Sequence, residues 1–256
     1  MSVLKKEPTK RSSLRRRMKG YSKDLYILAF DHRGTLTKGL LGVEGRPPNK
    51  DESEKVSEMK DIIFEGFLSA KEQGIEGGDP AILVDEQFGL HIQEKAKEQG
   101  VKFAAPVEKS GQKVFDFEYG ENFGEKINEV GADFIKVLVR WNPDDEKDIR
   151  ETQGKRIKKL SDWVEDSDKK FLLEFLVPAT DGQLSSVDGN QGRYDTELRP
   201  KLAVKVIEEM REKGADPDIW KIEGLDTPEK CFNVSKVIKS GDREGVIAVV
   251  LAEVQT

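Results

Sequence analysis

The most constraining feature of this chain is a repeated alternation of short, nearly unbroken apolar runs with longer segments of helical spacing. The runs fall at 25–31, 81–85, 102–107, 134–140, 170–177, 218–223 and 245–251, and the helical patterns at 53–73, 91–99, 122–130, 145–165, 197–213 and 227–239. A strand with one wet face alternates apolar and polar residues, whereas a strand covered on both faces reads as continuously apolar, so these runs predict a parallel sheet under helices. Helix ends support the same division. Gly74, Gly100, Gly131 and Gly214 each follow a last helical turn, where a left-handed residue closes the helix, and Thr227-Pro228 opens the last helix with a cap and a first-turn proline.

A chain of strand, loop and helix units forms either a doubly wound sheet or a (β/α) barrel. The strand ends favour the barrel. Polar residues gather after nearly every run, at Asp31-His32-Arg33, Asp85-Glu86-Gln87, Glu108-Lys109, Arg140-Trp141-Asn142 and Glu223. In a barrel such ends ring one mouth, while in an open sheet only those beside the switch point reach a ligand. The expected fold is therefore an α/β TIM barrel spanning residues 24–256, behind a basic, solvated tail at 1–23 that carries nine lysines and arginines. Seven strands are expected, with the eighth unit absent after Leu251. That leaves two strand edges to be covered by loops or by another chain, a homo-oligomer included.

Composition removes several functional classes. A net charge of −6 gives no general attraction to nucleic acid, and no run approaches the roughly 20 apolar residues that a bilayer requires. A single cysteine, Cys231, forbids an internal disulfide and is expected to pack in a helix; with no secretory signal, the expected compartment is the cytoplasm. Two histidines make a multi-histidine metal site unlikely to form, and no phosphate loop, dinucleotide fingerprint or nucleophile elbow is present. The expected partner is a small molecule, with no cofactor.

Among the charges of these runs, Asp31, Lys136, Glu174 and Lys221 form the candidate interior set. Alternation places Lys136 with Leu138, Glu174 with Leu172 and Leu176, and Lys221 with Ile219 and Glu223. If those faces point inward, two lysines and two carboxylates meet inside the barrel. Burial and a neighbouring cation favour the free amine of a lysine, which can attack a carbonyl, and a carboxylate beside the resulting imine can move protons. The alternative is an ion-pair network that ties strands together, although buried ion pairs are weak stabilisers.

Six motifs carry a resemblance. Leu28-Ala29-Phe30-Asp31-His32-Arg33-Gly34, Ile82-Leu83-Val84-Asp85-Glu86-Gln87-Phe88-Gly89, Pro106-Val107-Glu108-Lys109-Ser110-Gly111, Lys136-Val137-Leu138-Val139-Arg140, Glu174-Phe175-Leu176-Val177-Pro178-Ala179-Thr180 and Trp220-Lys221-Ile222-Glu223-Gly224-Leu225 together resemble the aldolase-like module of 2-deoxy-5-keto-gluconate 6-phosphate aldolase. That module belongs to inositol catabolism and is distantly similar to class I tagatose 1,6-bisphosphate aldolase. The resemblance implies a lyase that forms an imine between Lys221 and a keto-sugar phosphate and releases dihydroxyacetone phosphate and an aldehyde. It gives Glu174 proton transfer, Lys136 the role of neighbouring cation and Asp31 the substrate hydroxyls. Glu108, Lys109, Asp85 and Arg140 would line the substrate pocket, and Arg33 would meet a phosphate. The family pattern of a Gly-Arg loop and an eighth strand is replaced here by Leu251-Ala252-Glu253. From that departure comes the alternative expectation, a truncated or degenerate barrel with a metabolite-binding, regulatory or assembly role.

Overall fold

The computed structural model describes residues 18–251, so most of the basic tail, residues 1–17, and the departure at Ala252 and Glu253 lie outside the described residues. Seven strands run parallel in sequence order: β1 (Asp24–Ala29), β2 (Gly78–Leu83), β3 (Lys102–Pro106), β4 (Phe134–Arg140), β5 (Lys170–Leu176), β6 (Ile219–Ile222) and β7 (Ile247–Val250). The crossovers carry α1 (Gly34–Leu41) and α2 (Lys50–Gln73), then α3 (Glu86–Glu98), α4 (Phe123–Val130) and α5 (Lys147–Glu165). After β5 come two short turns, α6 (Asp181–Ser185) and α7 (Gln191–Arg193). A π-helical turn at Tyr194–Leu198 leads from them into α8 (Arg199–Glu212), and α9 (Pro228–Lys239) precedes β7.

Two separate apolar clusters show that the sheet curls into a nearly closed barrel. Leu25, Ala81, Leu83, Ala104, Phe134, Leu172 and Ile219 form one cluster, and Ile27 of β1 and Val249 of β7 both pack against it. First and last strands can share one inner cluster only if the sheet bends round on itself. The alternate residues, such as Phe103, Ile135, Phe171 and Trp220, point outward and join the helix side chains Ile92, Ile157 and Val206 in a larger cluster. Each strand is thus apolar on both faces for two different reasons, an inner core and a helical coat. No ladder joins β1 to β7 among the described residues, so a seam remains between them.

Local signals set the element ends. α2 begins before the expected position because Asn49 and Glu52 form a reciprocal capping box, each side chain accepting from the other's backbone N–H. Asp85 caps α3 in the same manner, accepting from the Phe88 N–H, so that helix starts one and a half turns earlier than its apolar pattern implied. The four helix-closing glycines all lie at positive φ, 95°, 61°, 65° and 93° for Gly74, Gly100, Gly131 and Gly214. α1 was not anticipated; its threonines and glycines carry no apolar period.

Within the segment read as a tail, residues 18–23 are described, and they cross the underside of the barrel. Gly20 N–H donates to Asp218 Oδ1 at 2.9 Å, and Tyr21 N–H donates to the Gly245 carbonyl at 2.9 Å. Gly20 sits at φ 86°, and a Cβ there would lie 1.8 Å from the Gly245 oxygen, so only glycine fits this backbone crossing. Asp218 is fully buried and also accepts from Phe171 N–H at 2.8 Å, joining β5, β6 and the strap. Asp218→Ala leaves two buried amides without that acceptor and is expected to lower the unfolding free energy by about 2–4 kcal/mol, measured by urea denaturation.

Candidate active site

Three adjacent strands each aim one charged side chain into the barrel. Lys136 of β4, Glu174 of β5 and Lys221 of β6 follow the inward parity of Phe134, Leu172 and Ile219, two residues further along each strand. Register pairs Glu174 with Lys221 directly and with Leu138, which places Lys136 one inward layer lower. Asp31 arrives from the turn after β1. Glu108 arrives from beyond β3, where a bridge to Phe117 holds its backbone.

These five side chains form one continuous network. Lys136 Nζ lies 2.9 Å from Asp31 Oδ2, 2.8 Å from Glu108 Oε1 and 3.1 Å from Glu174 Oε2. The other oxygen of Glu174 lies 2.9 Å from Lys221 Nζ. The two lysines therefore differ in kind. Lys136 is surrounded by three carboxylates, whereas Glu174 is the only carboxylate within ion-pair distance of Lys221 among the described residues.

Electrostatics follow from that asymmetry. Burial works against the Lys136 ammonium, but Asp31, Glu108 and Glu174 together hold its pKa well above the ordinary lysine value, fixing it as a cation. Burial would raise Asp31, yet the Lys136 charge and hydrogen bond prevail and hold that carboxyl at about 2. Glu108 moves the opposite way: its burial outweighs the pull of Lys136, a cation it shares with two other carboxylates, and its pKa is raised. Its second oxygen, Oε2, is buried with no hydrogen-bond partner. Such an arrangement offers a fixed cation, a carboxylate bridging two amines, and a carboxyl that readily keeps its proton.

A cleft of about 2100 Å³ opens above the network and extends along the seam between β1 and β7. Arg33, Lys109 and Arg140 stand on its wall beside the network residues. Arg33 donates to the Glu108 carbonyl at 2.8 Å and pairs with Glu118 at 3.4 Å; Arg140 donates to the Gln112 carbonyl at 3.2 Å; Lys109 pairs with Asp116 at 3.6 Å. Asp85 is not brought to the cleft. β2 ends at Leu83, so alternation no longer sets its direction, and its carboxylate caps α3 and pairs with Lys60 instead.

Lys60 is the residue that sequence reasoning missed. It is fully buried on α2, in line with Val56, Phe64 and Phe67, and this position inside an apolar stripe was the available signal. Cys231, expected to pack, is instead exposed on α9. Among the described residues no group of three or more His, Cys, Asp or Glu side chains is placed to hold a metal ion, and no helix is long and apolar enough to cross a membrane.

Known proteins carry related sequences. The chain is 23% identical to the tagatose 1,6-diphosphate aldolase of Staphylococcus haemolyticus (strain JCSC1435) over 202 residues, which are 77% of this chain and 57% of that protein. It is 27% identical over 203 residues to the protein of the same name from Listeria monocytogenes serotype 4a (strain HCC23), covering 77% of this chain and 54% of that one. The chain thus spans about half the length of the curated relatives it matches. A solved structure from work on reaction intermediates of the Schiff-base-forming fructose-1,6-bisphosphate aldolase is similar with a TM-score of 0.49 and 16% identity, over 91% of this chain and 76% of that one. A family model matches nearly the whole chain, residues 8–255, and the chain accordingly belongs to the family described as "Uncharacterized protein conserved in bacteria (DUF2090)".

Proposed function

We propose that this protein is a class I aldolase, a lyase that forms an imine between Lys221 and the ketone of a phosphorylated keto-sugar or keto-sugar acid. The observation that carries this reading is the difference between the two buried lysines. A lysine enclosed by three carboxylates stays an ammonium; one that touches a single carboxylate can pass it a proton and attack a carbonyl. The curated relatives named above, both aldolases, support the same reaction class.

In this mechanism Glu174 accepts a proton from Lys221, and the free Nζ adds to the substrate ketone. The carbinolamine loses its hydroxyl as water, with the proton supplied from Glu174, to give an iminium. A base then removes the proton of the substrate hydroxyl on the far side of the scissile carbon-carbon bond. That bond breaks, its electron pair passes into the iminium as an enamine, and the aldehyde leaves. Protonation of the enamine carbon and addition of water release the ketone product and restore the amine, so the water lost earlier is recovered. Lys136, one inward layer away, holds the second oxygen of Glu174 in place, and Asp31 orients the substrate hydroxyls. Arg33, Lys109 and Arg140 supply the positive wall that a phosphate needs. The substrate proposed is 2-deoxy-5-keto-gluconate 6-phosphate or a close relative, cleaved to dihydroxyacetone phosphate and an aldehyde.

A second reading, a barrel that binds such a metabolite without cleaving it, is favoured by the ion pair that holds Lys221 Nζ on Glu174 at 2.9 Å. Borohydride trapping separates the two. With dihydroxyacetone phosphate, the class I reading expects a stable adduct that peptide mapping places on Lys221 and that Lys221→Ala abolishes; folded protein that forms no adduct supports the binding reading. Glu174→Gln is expected to lower kcat for cleavage by about 10²–10⁴-fold, measured by coupled assay of dihydroxyacetone phosphate, while the adduct still forms slowly. Glu108 gives a pH test of stability. Its carboxyl has a folded pKa above the ordinary 4.5, so the native protein loses stability as pH rises through that value, until the folded carboxyl has ionised. Glu108→Gln has no such loss and still accepts from Lys136. The variant is expected to gain on the native protein in Tm as pH rises above the ordinary 4.5, a trend that calorimetry over a pH series would read.

A further inference from the structure

Lys60 lies outside the cleft, yet its contacts converge on the turn that carries Asp31. Its side chain is wholly buried, and its three ammonium protons meet three acceptors: the Phe30 carbonyl at 2.7 Å, the His32 carbonyl at 3.1 Å and the Asp85 carboxylate. The two carbonyls belong to the residues immediately before and after Asp31. Asp85 is itself fixed, because its other oxygen accepts from Phe88 N–H at the start of α3. An ammonium tied to α3 therefore grips the backbone on both sides of one carboxylate, whose own side chain reaches 2.9 Å to Lys136.

Stability does not account for this arrangement. Burial pushes the Lys60 pKa down and the Asp85 pKa up, so each partner is driven toward its neutral form despite the pairing. A pair under that strain contributes little to folding compared with apolar side chains of the same volume. Position 60 faces the outer core in line with Val56, Phe64 and Phe67, where a leucine or methionine would match the neighbouring side chains. What an apolar residue cannot do is hold two carbonyls that otherwise have no reason to point at α2.

From these contacts we infer that Lys60, anchored by Asp85, is a positioning residue for the reaction site, clamping the turn after β1 so that the Asp31 carboxylate stays on Lys136 and faces the cleft. The inference rests on the aldolase reading for its catalytic consequence but not for its structural one. Lys60 touches neither the cleft nor Lys221, and acts only through Asp31.

The test compares the native protein with Lys60→Met/Asp85→Asn, which removes both charges together and retains a capping side chain for α3. Lys136, Lys221, His32 and Glu108, which act on Asp31 electrostatically, are all kept in this variant, and the Lys60 charge, which also acts on it, is removed together with the opposite charge of Asp85. The Asp31 carboxyl is followed by carbon-13 NMR as pH falls. Release of the clamp is expected to carry its midpoint from about 2 toward its ordinary 3.8; a midpoint unchanged in folded variant overturns the inference, whatever the protein catalyses. Should the double variant not fold, Lys60→Arg, which keeps the charge but cannot place the same three donors, is measured in the same way. It is expected to move the midpoint in the same direction, and no movement again overturns the inference. In cleavage assays the double variant is expected to lose about 10–100-fold in kcat while borohydride still marks Lys221, and to cause no further loss in an Asp31→Asn background. An equal further loss in that background would mean that Lys60 does not act through Asp31. If the native protein neither traps nor cleaves, the aldolase reading fails alone, and the Asp31 titration still decides the role of Lys60.

Discussion

The ammonium of Lys136 is the interaction on which the rest of this structure depends. It joins the turn after β1, the segment beyond β3 and the face of β5 to β4 through three carboxylates at 2.8–3.1 Å. Charges taken out of water cost several kcal/mol each, and an ion with excellent geometry repays that only if its partners are themselves satisfied. The barrel meets this condition by layering, apart from the buried Glu108 Oε2. Below the charges, Phe134, Leu172 and Ile219 close the interior as an apolar plug; above them the cleft opens. The polar layer sits at the boundary between the two, where carboxylates and amines can be held in place and still reach a ligand. Because β1 and β7 share no ladder among the described residues, this cation also serves as a link from the turn after β1 to β4 that runs across the barrel instead of around it.

Much of the fold was legible because parallel strands under helices leave a blunt signal. All seven strands overlap the apolar runs, and β4 coincides with its run, since Phe134 to Val139 is apolar apart from Lys136 and is flanked by Asp133 and Arg140. Parity carried the site as well. Once Lys136, Glu174 and Lys221 are placed on the same face as Phe134, Leu172 and Ile219, a curled sheet must bring them together, and no knowledge of helices is required. The roles given to those residues rest on chemistry and relatives, not on parity.

Legibility ended where the backbone left the strands. Asp85 carried the same sequence signal as Asp31, a carboxylate after an apolar run, and each stands two residues past its strand, but a helix cap claimed the Asp85 side chain. No local rule distinguishes the two, because the difference lies in Lys60, a residue 25 positions away on another element. Lys60 was hidden for a related reason. On a helix with lysine or glutamate at every turn, a single inward lysine is indistinguishable by composition, and only its alignment with Val56 and Phe64 sets it apart. The partner that gives a buried charge its meaning is a tertiary fact.

The strap beneath the barrel has a mechanical consequence. Gly20 and Tyr21 fasten the lower end of the seam, where the backbones of the strap and of Gly245 cross too closely for any side chain, while no ladder bridges the upper ends of β1 and β7. Among the described residues the two edges are thus fastened at the floor and unladdered at the mouth, which sets the open stretch of the seam beside the cleft and the fastened one beside the apolar plug.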